Sequence, residues 1–369
     1  DDFQANLRRL HNMDLDIHFI QSADFFPVID KDDFVIDALF GSGLNRPLEQ
    51  LSAELVGHIN KANAYTISID VPSGMFTDKS SKGNTIIHTD TTLTFQCLKL
   101  CFLVAENATF FGEVRVMNIE LHPGFLKHVQ SDLQLVSKKF IQGLVKQRPV
   151  FAHKGNFGHA LLIAGEQGKT GAAILAAKAC LRTGAGLVTV HIPVDCFNAI
   201  HSAVPEAMCT PRNEDGLNHK NITVIAAGPG IGMGDDAVQL VNDIIHKYDK
   251  PVLLDADAIS IISNNKEWLA HLKPDSVLTP HPKEFERLFG AFDDEFARLY
   301  AALDFTKKYP IVVVLKGHHT LIACNGKGWL NTTGNSGLAK GGSGDTLTGM
   351  VASLMAQGYS SEHAAIIGV

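Results

Sequence analysis

The sequence predicts an α/β protein built from two doubly wound domains. Three observations predict this. The chain has 369 residues, two to three times an ordinary domain. Short apolar runs alternate with helical stretches over most of its length. Glycine-rich turns follow most of those runs, the pattern of strands feeding crossover helices. Hydrophobic residues at 45% and charged residues at 19% exclude a disordered chain or a coiled coil. The 32 Lys+Arg against 39 Asp+Glu give a net charge of -7, evenly spread. That balance excludes a dedicated nucleic-acid or anionic-membrane surface and leaves small molecules as the expected partners.

No apolar run reaches the roughly 18 residues of a membrane span, and the greasiest stretch, residues 94–105, contains Lys99. The six cysteines form no Cys-x-x-Cys pair and most lie in apolar segments, so reduced, buried thiols and a cytoplasmic location are expected. A start at Asp1 without methionine or leader, and a stop at Val369 inside an apolar run, predict further chain beyond both ends.

Taken in order, residues 34–39 read as a strand, then a Gly/Pro-rich turn, a helix over 48–62 and a strand over 65–69. Residues 91–95 and 114–119 complete an open, mainly parallel sheet. The pattern breaks at His122-Pro123-Gly124, and the stretch to Pro149 reads as a connector plus an entry helix. The boundary falls near residue 125, giving domains over 1–125 and 133–369. Strands in the second domain are expected at 160–164, 187–192, 224–227, 252–255, 276–279 and 311–316. Ligands in such sheets bind at the carboxyl ends of the strands, where these turns gather.

The densest signal is Ser336-Gly-Leu-Ala-Lys-Gly341-Gly-Ser-Gly344-Asp345-Thr-Leu-Thr-Gly349, which runs into an apolar helix. Glycines let backbone approach an anion, and the open amides of a helix start hold phosphate. Asp345 stands where a carboxylate takes a proton from a hydroxyl facing that phosphate. Ser343 or Asp345 acting as a plain helix cap is the rival reading, but the glycine density exceeds what a cap needs. Gly165-Glu-Gln-Gly168-Lys169-Thr170 misses a Walker A loop, with two residues between its glycines where that loop has four. Gly228-Pro-Gly230-Ile-Gly232-Met233-Gly234 lacks the third glycine of G-x-G-x-x-G, so a dinucleotide fingerprint is unsupported. Both loops read equally as ligand contacts or tight turns.

Thr279-Pro-His281-Pro-Lys-Glu284-Phe presents His281 at a strand end between two rigid prolines, against the rival of a satisfied surface histidine. Leu254-Asp255-Ala-Asp257 places carboxylates at another strand end, with Asp257 equally an N-cap of the next helix. Lys316-Gly317-His318-His319-Thr320 offers a cation and small residues suited to a nucleotide. No comparable metal-ligand cluster is present, which argues against catalytic zinc.

In the first domain, Asp37-Ala-Leu-Phe-Gly41-Ser42-Gly43-Leu44-Asn45-Arg46-Pro47 leaves a strand as a glycine-rich loop with one arginine, a shape suited to pyrophosphate. Ile67-Ser-Ile-Asp70-Val-Pro-Ser73-Gly74 ends the next strand with an acid and a proline turn. Each alone is an ordinary turn; together they read as one site.

At these residues the chain resembles a known family. His153-Lys-Gly-Asn-Phe-Gly158, Gly171-Ala-Ala-Ile-Leu-Ala-Ala-Lys178, Thr183-Gly-Ala-Gly-Leu-Val-Thr189, the His281 and Lys316 motifs and Gly341-Gly-Ser-Gly-Asp345 stand in the order that marks ADP- or ATP-dependent NAD(P)H-hydrate dehydratases, of ribokinase-like fold. The resemblance implies nucleotide-driven phosphorylation of the ring hydroxyl of hydrated NADH or NADPH, with magnesium, followed by loss of phosphate. It makes Asp345 the catalytic base. Lys316, Gly317, His318, His319, Thr320 and Gly344 would contact ADP or ATP, and Ala172, Gly230, His281 and Asp345 the hydrated cofactor. The first domain resembles the Rossmann-like NAD(P)H-hydrate epimerase domain often fused upstream, through its Asp-Ala-x-x-Gly-x-Gly loop, its Asp-x-Pro-Ser-Gly turn and Thr92-Leu-Thr-Phe95 to Lys99. This implies that Asp70 is the acid/base for interconverting R and S hydrates, that Gly41, Ser42, Gly43, Leu44, Asn45, Arg46 and Pro47 hold the cofactor with it, and that Asp37 and Ser73 help bind potassium. The family's Asn/Gly-rich loop would lie upstream of residue 1. A homo-oligomer, tetramer or larger, is also implied. The rival reading is a ribokinase-like kinase of a vitamin alcohol with a non-catalytic N-terminal binding module.

Overall fold

The computed structural model describes residues 2–212 and 221–369. They fall into two compact units, one reaching His128 with Asp294–Phe296 added, the other Val129–Asp293 with Ala297–Val369.

The first unit begins with α1 (Asp2–His11) and continues through β1 (Phe34–Asp37), α2 (Gln50–Ala62), β2 (Tyr65–Ile69), β3 (Thr91–Phe95), β4 (Glu113–Met117) and α3 (Pro123–His128). Aromatic and β-branched residues dominate β1 to β3 and favour the extended chain. The strands pair in the order β1-β2-β3-β4, all parallel. Helix α2 carries the β1 to β2 crossover, turning Val56 and Ile59 onto Leu48 and Ile87 to form a small core. Loops and short 3-10 turns carry the later crossovers. Because the strands run one way, residues 37–47, 70–74 and 95–99 all leave the same sheet edge.

The second unit runs through β5 (Leu133–Leu135), α4 (Lys138–Leu144), β6 (His159–Ile163), α5 (Thr170–Thr183), β7 (Leu187–Ile192), α6 (Phe197–Ala203), β8 (Met208–Pro211), β9 (Val224–Ala227), α7 (Asp235–Lys247), β10 (Val252–Leu254), α8 (Ala256–Asn264), β11 (Val277–Leu278), α9 (Pro282–Phe289), α10 (Glu295–Lys308), β12 (Val312–Leu315), β13 (Thr320–Cys324), β14 (Lys327–Asn331), α11 (Ser343–Ala356) and α12 (Ser361–Gly368). Its strand order is β5-β14-β13-β12-β11-β10-β9-β6-β7-β8, and β13 alone among the described strands runs against the rest. Strands β9 and β12 are buried throughout, as continuous apolar runs covered on both faces require.

The structure adds β5, β8, β13 and β14 to the expected strands. Strand β5 comes from the stretch read as a connector, and Gln134 pairs with Trp329 of β14. The turn between β13 and β14 is Asn325-Gly326, both with positive φ (50° and 76°), the usual two-residue hairpin signal. Helix α11 lies tight on α5: a Cβ at Gly349 would fall 2.1 Å from the Ala176 carbonyl, so glycine alone allows this approach. Among the described residues no helix is long and apolar enough to cross a membrane.

Candidate active sites

In the second unit the chain moves outward from β6 through β7 to β8, then returns to place β9 on the other side of β6. That reversal opens a crevice at the strand ends, where open α/β sheets take ligands. The two glycine clusters flank it and are tied together, Gly165 N donating to the Pro229 carbonyl (2.7 Å) and Gly228 N to that of Ile163 (3.1 Å). Ala172 and Gly230 face each other there, a Cβ on the glycine falling 3.2 Å from that of Ala172. Lys169 pairs with Glu166 at 2.9 Å and approaches Asp257 at 3.8 Å, side-chain partners within the protein itself. Asp257 accepts the Gly232 amide at 2.9 Å and stands in the first turn of α8, whose N-cap is Asp255, so the capping alternative for Asp257 does not hold.

Next along the rim, Asp255 is 1% exposed. Lys316, leaving β12, donates to its Oδ1 at 2.8 Å, and the Thr348 hydroxyl of α11 donates to Oδ2 at 2.8 Å. Gly344 brings the start of α11 against this pair, its Cβ position 3.6 Å from Lys316 Nζ and 3.7 Å from Asp255 Oδ2. Asp345 sits one residue on, half-buried. Neither it nor Ser343 caps the helix: the N-cap is Gly342, and the Ser343 hydroxyl donates to the Leu338 carbonyl. Burial, and then the negative charge of Asp255, push the Asp345 carboxyl above its ordinary value, with Lys316 partly opposing them. A carboxylate held this way is a stronger base for a hydroxyl proton.

His281 is the N-cap of α9, its Nδ1 accepting the amides of Lys283 (3.1 Å) and Glu284 (3.3 Å), while Glu284 accepts the His281 amide. Glu284 Oε2 is 3.9 Å from Lys316 Nζ, so His281, Glu284, Lys316 and Asp255 form one chain of contacts along the rim. Thr320 closes the turn after Lys316, its hydroxyl accepting the Gly317 amide (3.4 Å) and donating to the Gly317 carbonyl (3.2 Å). The His318 and His319 rings meet edge to face within that turn.

The first unit gathers its residues at the shared strand edge. Asp37 is 2% exposed. Its carboxylate accepts the hydroxyls of Ser68 (2.7 Å) and Ser73 (2.6 Å) and the Ser73 amide (2.9 Å), and among the described residues no cation lies within ion-pair distance. Asp70 follows β2 with a left-handed φ of 71°. Its Oδ2 accepts the Ser42 amide at 3.1 Å, which joins the glycine-rich loop to the acid as expected. Its Oδ1 accepts Lys99 Nζ at 2.5 Å and the Phe95 amide at 3.3 Å. Burial would raise this carboxyl, but the Lys99 and Ser42 hydrogen bonds and the Lys99 charge outweigh it and hold it below its ordinary value. Leu44 packs against the small core, while Ser42, Gly43, Asn45, Arg46 and Pro47 are exposed.

Three residues outside the expected set belong to these sites: Lys99, Asp255 and Thr348. Each stood inside a quoted motif, but their pairings span 29, 61 and 93 residues, distances at which spacing carries no signal.

Together these features define a ribokinase-like α/β unit alongside a parallel-sheet unit with its own acid site. A solved ribokinase-like superfamily protein from Enterococcus faecalis is 31% identical, with a TM-score of 0.58 over 65% of this chain and 86% of that one. The ADP/ATP-dependent NAD(P)H-hydrate dehydratase of Bacillus subtilis, co-crystallised with ATP and magnesium, is 32% identical, with a TM-score of 0.57 over 63% of this chain and 85% of that one. Residues 160–369 match the family model for NAD(P)H-hydrate dehydratase, and residues 1–101 match that for the YjeF-related protein N-terminus. The bifunctional NAD(P)H-hydrate repair enzyme of Coxiella burnetii is 35% identical over 354 residues, 93% of this chain and 70% of that protein. The enzyme of the same name from Escherichia coli is 31% identical, over 91% of this chain and 65% of its own length. The chain belongs to the bifunctional NAD(P)H-hydrate repair enzyme family.

Proposed function

We propose that the chain repairs hydrated NADH and NADPH, the first unit interconverting R and S hydrates at Asp70 and the second dehydrating the S form with ADP or ATP. The observation that carries the reading is the pair of acid sites at two separate sheet edges, one carboxyl held low and the other held high. In the second unit Asp345 takes the ring hydroxyl proton while the oxygen attacks the terminal phosphorus, whose bridging P–O bond breaks with its electron pair leaving on the rest of the nucleotide, AMP from ADP or ADP from ATP. The C–O bond then breaks with its electron pair leaving on phosphate, and loss of a neighbouring ring proton restores the dihydronicotinamide. Lys316, Gly317, His318, His319, Thr320 and Gly344 hold the nucleotide, with magnesium carried on its phosphates. Ala172, Gly230 and His281 border the hydrate. In the first unit residues 41–47 hold the substrate against Asp70, which takes the hydroxyl proton as the ring C–N bond opens. The nitrogen takes a proton from water, and reclosure on the other face gives the second epimer.

Asp37 and Ser73 fit a potassium ion: their side-chain ligand atoms are all oxygen, and among the described residues no cation pairs with the buried Asp37 carboxylate, which is held by hydrogen bonds alone. Potassium there would neutralise Asp37 and hold the loop after β1. Cys101, Cys180 and Cys324, whose thiols burial pushes up to about 12, suit a reducing cytoplasm. A homo-oligomer, tetramer or larger, is part of the proposal, and light scattering tests it.

The test supplies mixed R and S hydrates of NADH with magnesium and potassium, adds ADP or ATP in separate runs, and follows the reduced-nicotinamide absorbance. Complete return with either nucleotide supports both activities and names the donor. Return of the S fraction alone removes the epimerase. A stable phosphorylated product supports a vitamin-type kinase instead.

A further inference from the structure

Lys99 and Asp70 make a tight ion pair, at 2.5 Å, with only 15% and 14% of their side chains exposed. An ammonium has three N–H donors and no acceptor. All three are taken: one by Asp70 Oδ1, one by the Thr94 hydroxyl at 2.6 Å and one by the Phe95 carbonyl at 3.1 Å. Lys99 therefore has no N–H left to offer a substrate. The two oxygens of Asp70 are unequal in consequence. Oδ1 receives both Lys99 and the Phe95 amide, whereas among the described residues Oδ2 is met only by Ser42, an exposed residue of the glycine-rich loop.

We propose that Lys99 is the positioning residue of the epimerase site, fixing Asp70 through Oδ1 so that Oδ2 alone exchanges the proton with the hydrate. The proposal rests on the epimerase reading of the first unit. The left-handed backbone at Asp70 agrees with it, because a strained residue keeps its place only when its surroundings over-determine it. Among the described residues Lys99 is the one charged group within ion-pair distance of Asp70. Removing its charge therefore leaves burial unopposed except by the Ser42 and Phe95 hydrogen bonds, and the carboxyl rises.

The test uses the full chain without added nucleotide, so that dehydration is silent, and follows conversion of enriched R hydrate to the S form against pH. K99M is expected to move the acid limb of kcat/KM upward by about one pH unit or more, the ordinary effect of losing an opposite charge at contact. Activity then recovers toward the wild-type rate on the alkaline side, and K99R restores the limb. K99Q provides the same measurement should K99M not fold, and ADP-driven dehydration of S hydrate reports that the chain is intact. An equal loss at every pH with the limb unmoved overturns the proposal. Failure of the wild-type chain to convert R hydrate to the S form overturns the epimerase reading instead, and D70N that retains the wild-type rate removes Asp70 as its acid/base.

Discussion

At the scale of single residues, two carboxylates of one chain are moved in opposite directions. Asp345 is raised by burial and by Asp255, and it acts as a base only when ionised, so dehydration is lost as pH falls through that raised value. Asp70 is lowered, so it stays ionised at pH values where Asp345 has begun to protonate. Profiles of the two reactions measured separately are expected to place the acid limb of epimerisation below that of dehydration; coincident limbs would contradict the assignment. D345N is expected to cut dehydration about 10²–10⁴-fold with the fold intact, the range of a lost general base, as single-turnover rates would show. D255N removes one raising charge but not the burial, so the limb of dehydration moves down only part of the way. The sequence made Asp345 and Asp70 legible because glycines and prolines crowd around them. It placed Lys99 and Asp255 inside motifs without a role, since what gives them one is a partner that only the folded sheet brings near.

At the scale of elements, the parallel strands were legible where apolar runs ended in glycine-rich turns, as at β6, β7 and β9. Those left out were short or polar: Leu133–Leu135 alternates around a glutamine, and Met208–Pro211 ends in proline. The hairpin of β13 and β14 carried an Asn-Gly signal, but between two runs of only five residues each. The junction of β9 and its loop is the most constrained of the turns beside the site. Gly228 has a φ of 135°, and a Cβ there would fall 1.8 Å from the Asp255 carbonyl. G228A is expected to cost about 3 kcal/mol from strain and overlap together. A thermal melt would show it, and dehydration would suffer with it because the displaced backbone is that of Asp255. Epimerisation should survive wherever the first unit stays folded.

At the scale of the whole molecule, each unit has its own sheet, its own core and its own acid. The two chemistries should therefore be separable by single substitutions: D70N leaves S hydrate convertible and R hydrate stranded, and D345N leaves the epimers interconverting without repair. Product analysis by chromatography distinguishes these, and loss of both activities from either change would count against independent sites. The proposed potassium site belongs to this scale because a bound ion would act on the stability of a unit. Raising potassium at constant ionic strength should raise the melting temperature of the wild-type chain by mass action, and D37N should abolish that response. Gln134 of β5 pairs with Trp329 of β14. The first strand of the second unit lies beside one of the last, so during synthesis β5 leaves the ribosome long before its partner exists. That edge closes only after nearly the whole unit has been made, and contacts so distant in sequence form slowly. The sheet of the unit is thus completed only once β14 has been made, with β5 the segment most in need of protection in the interval.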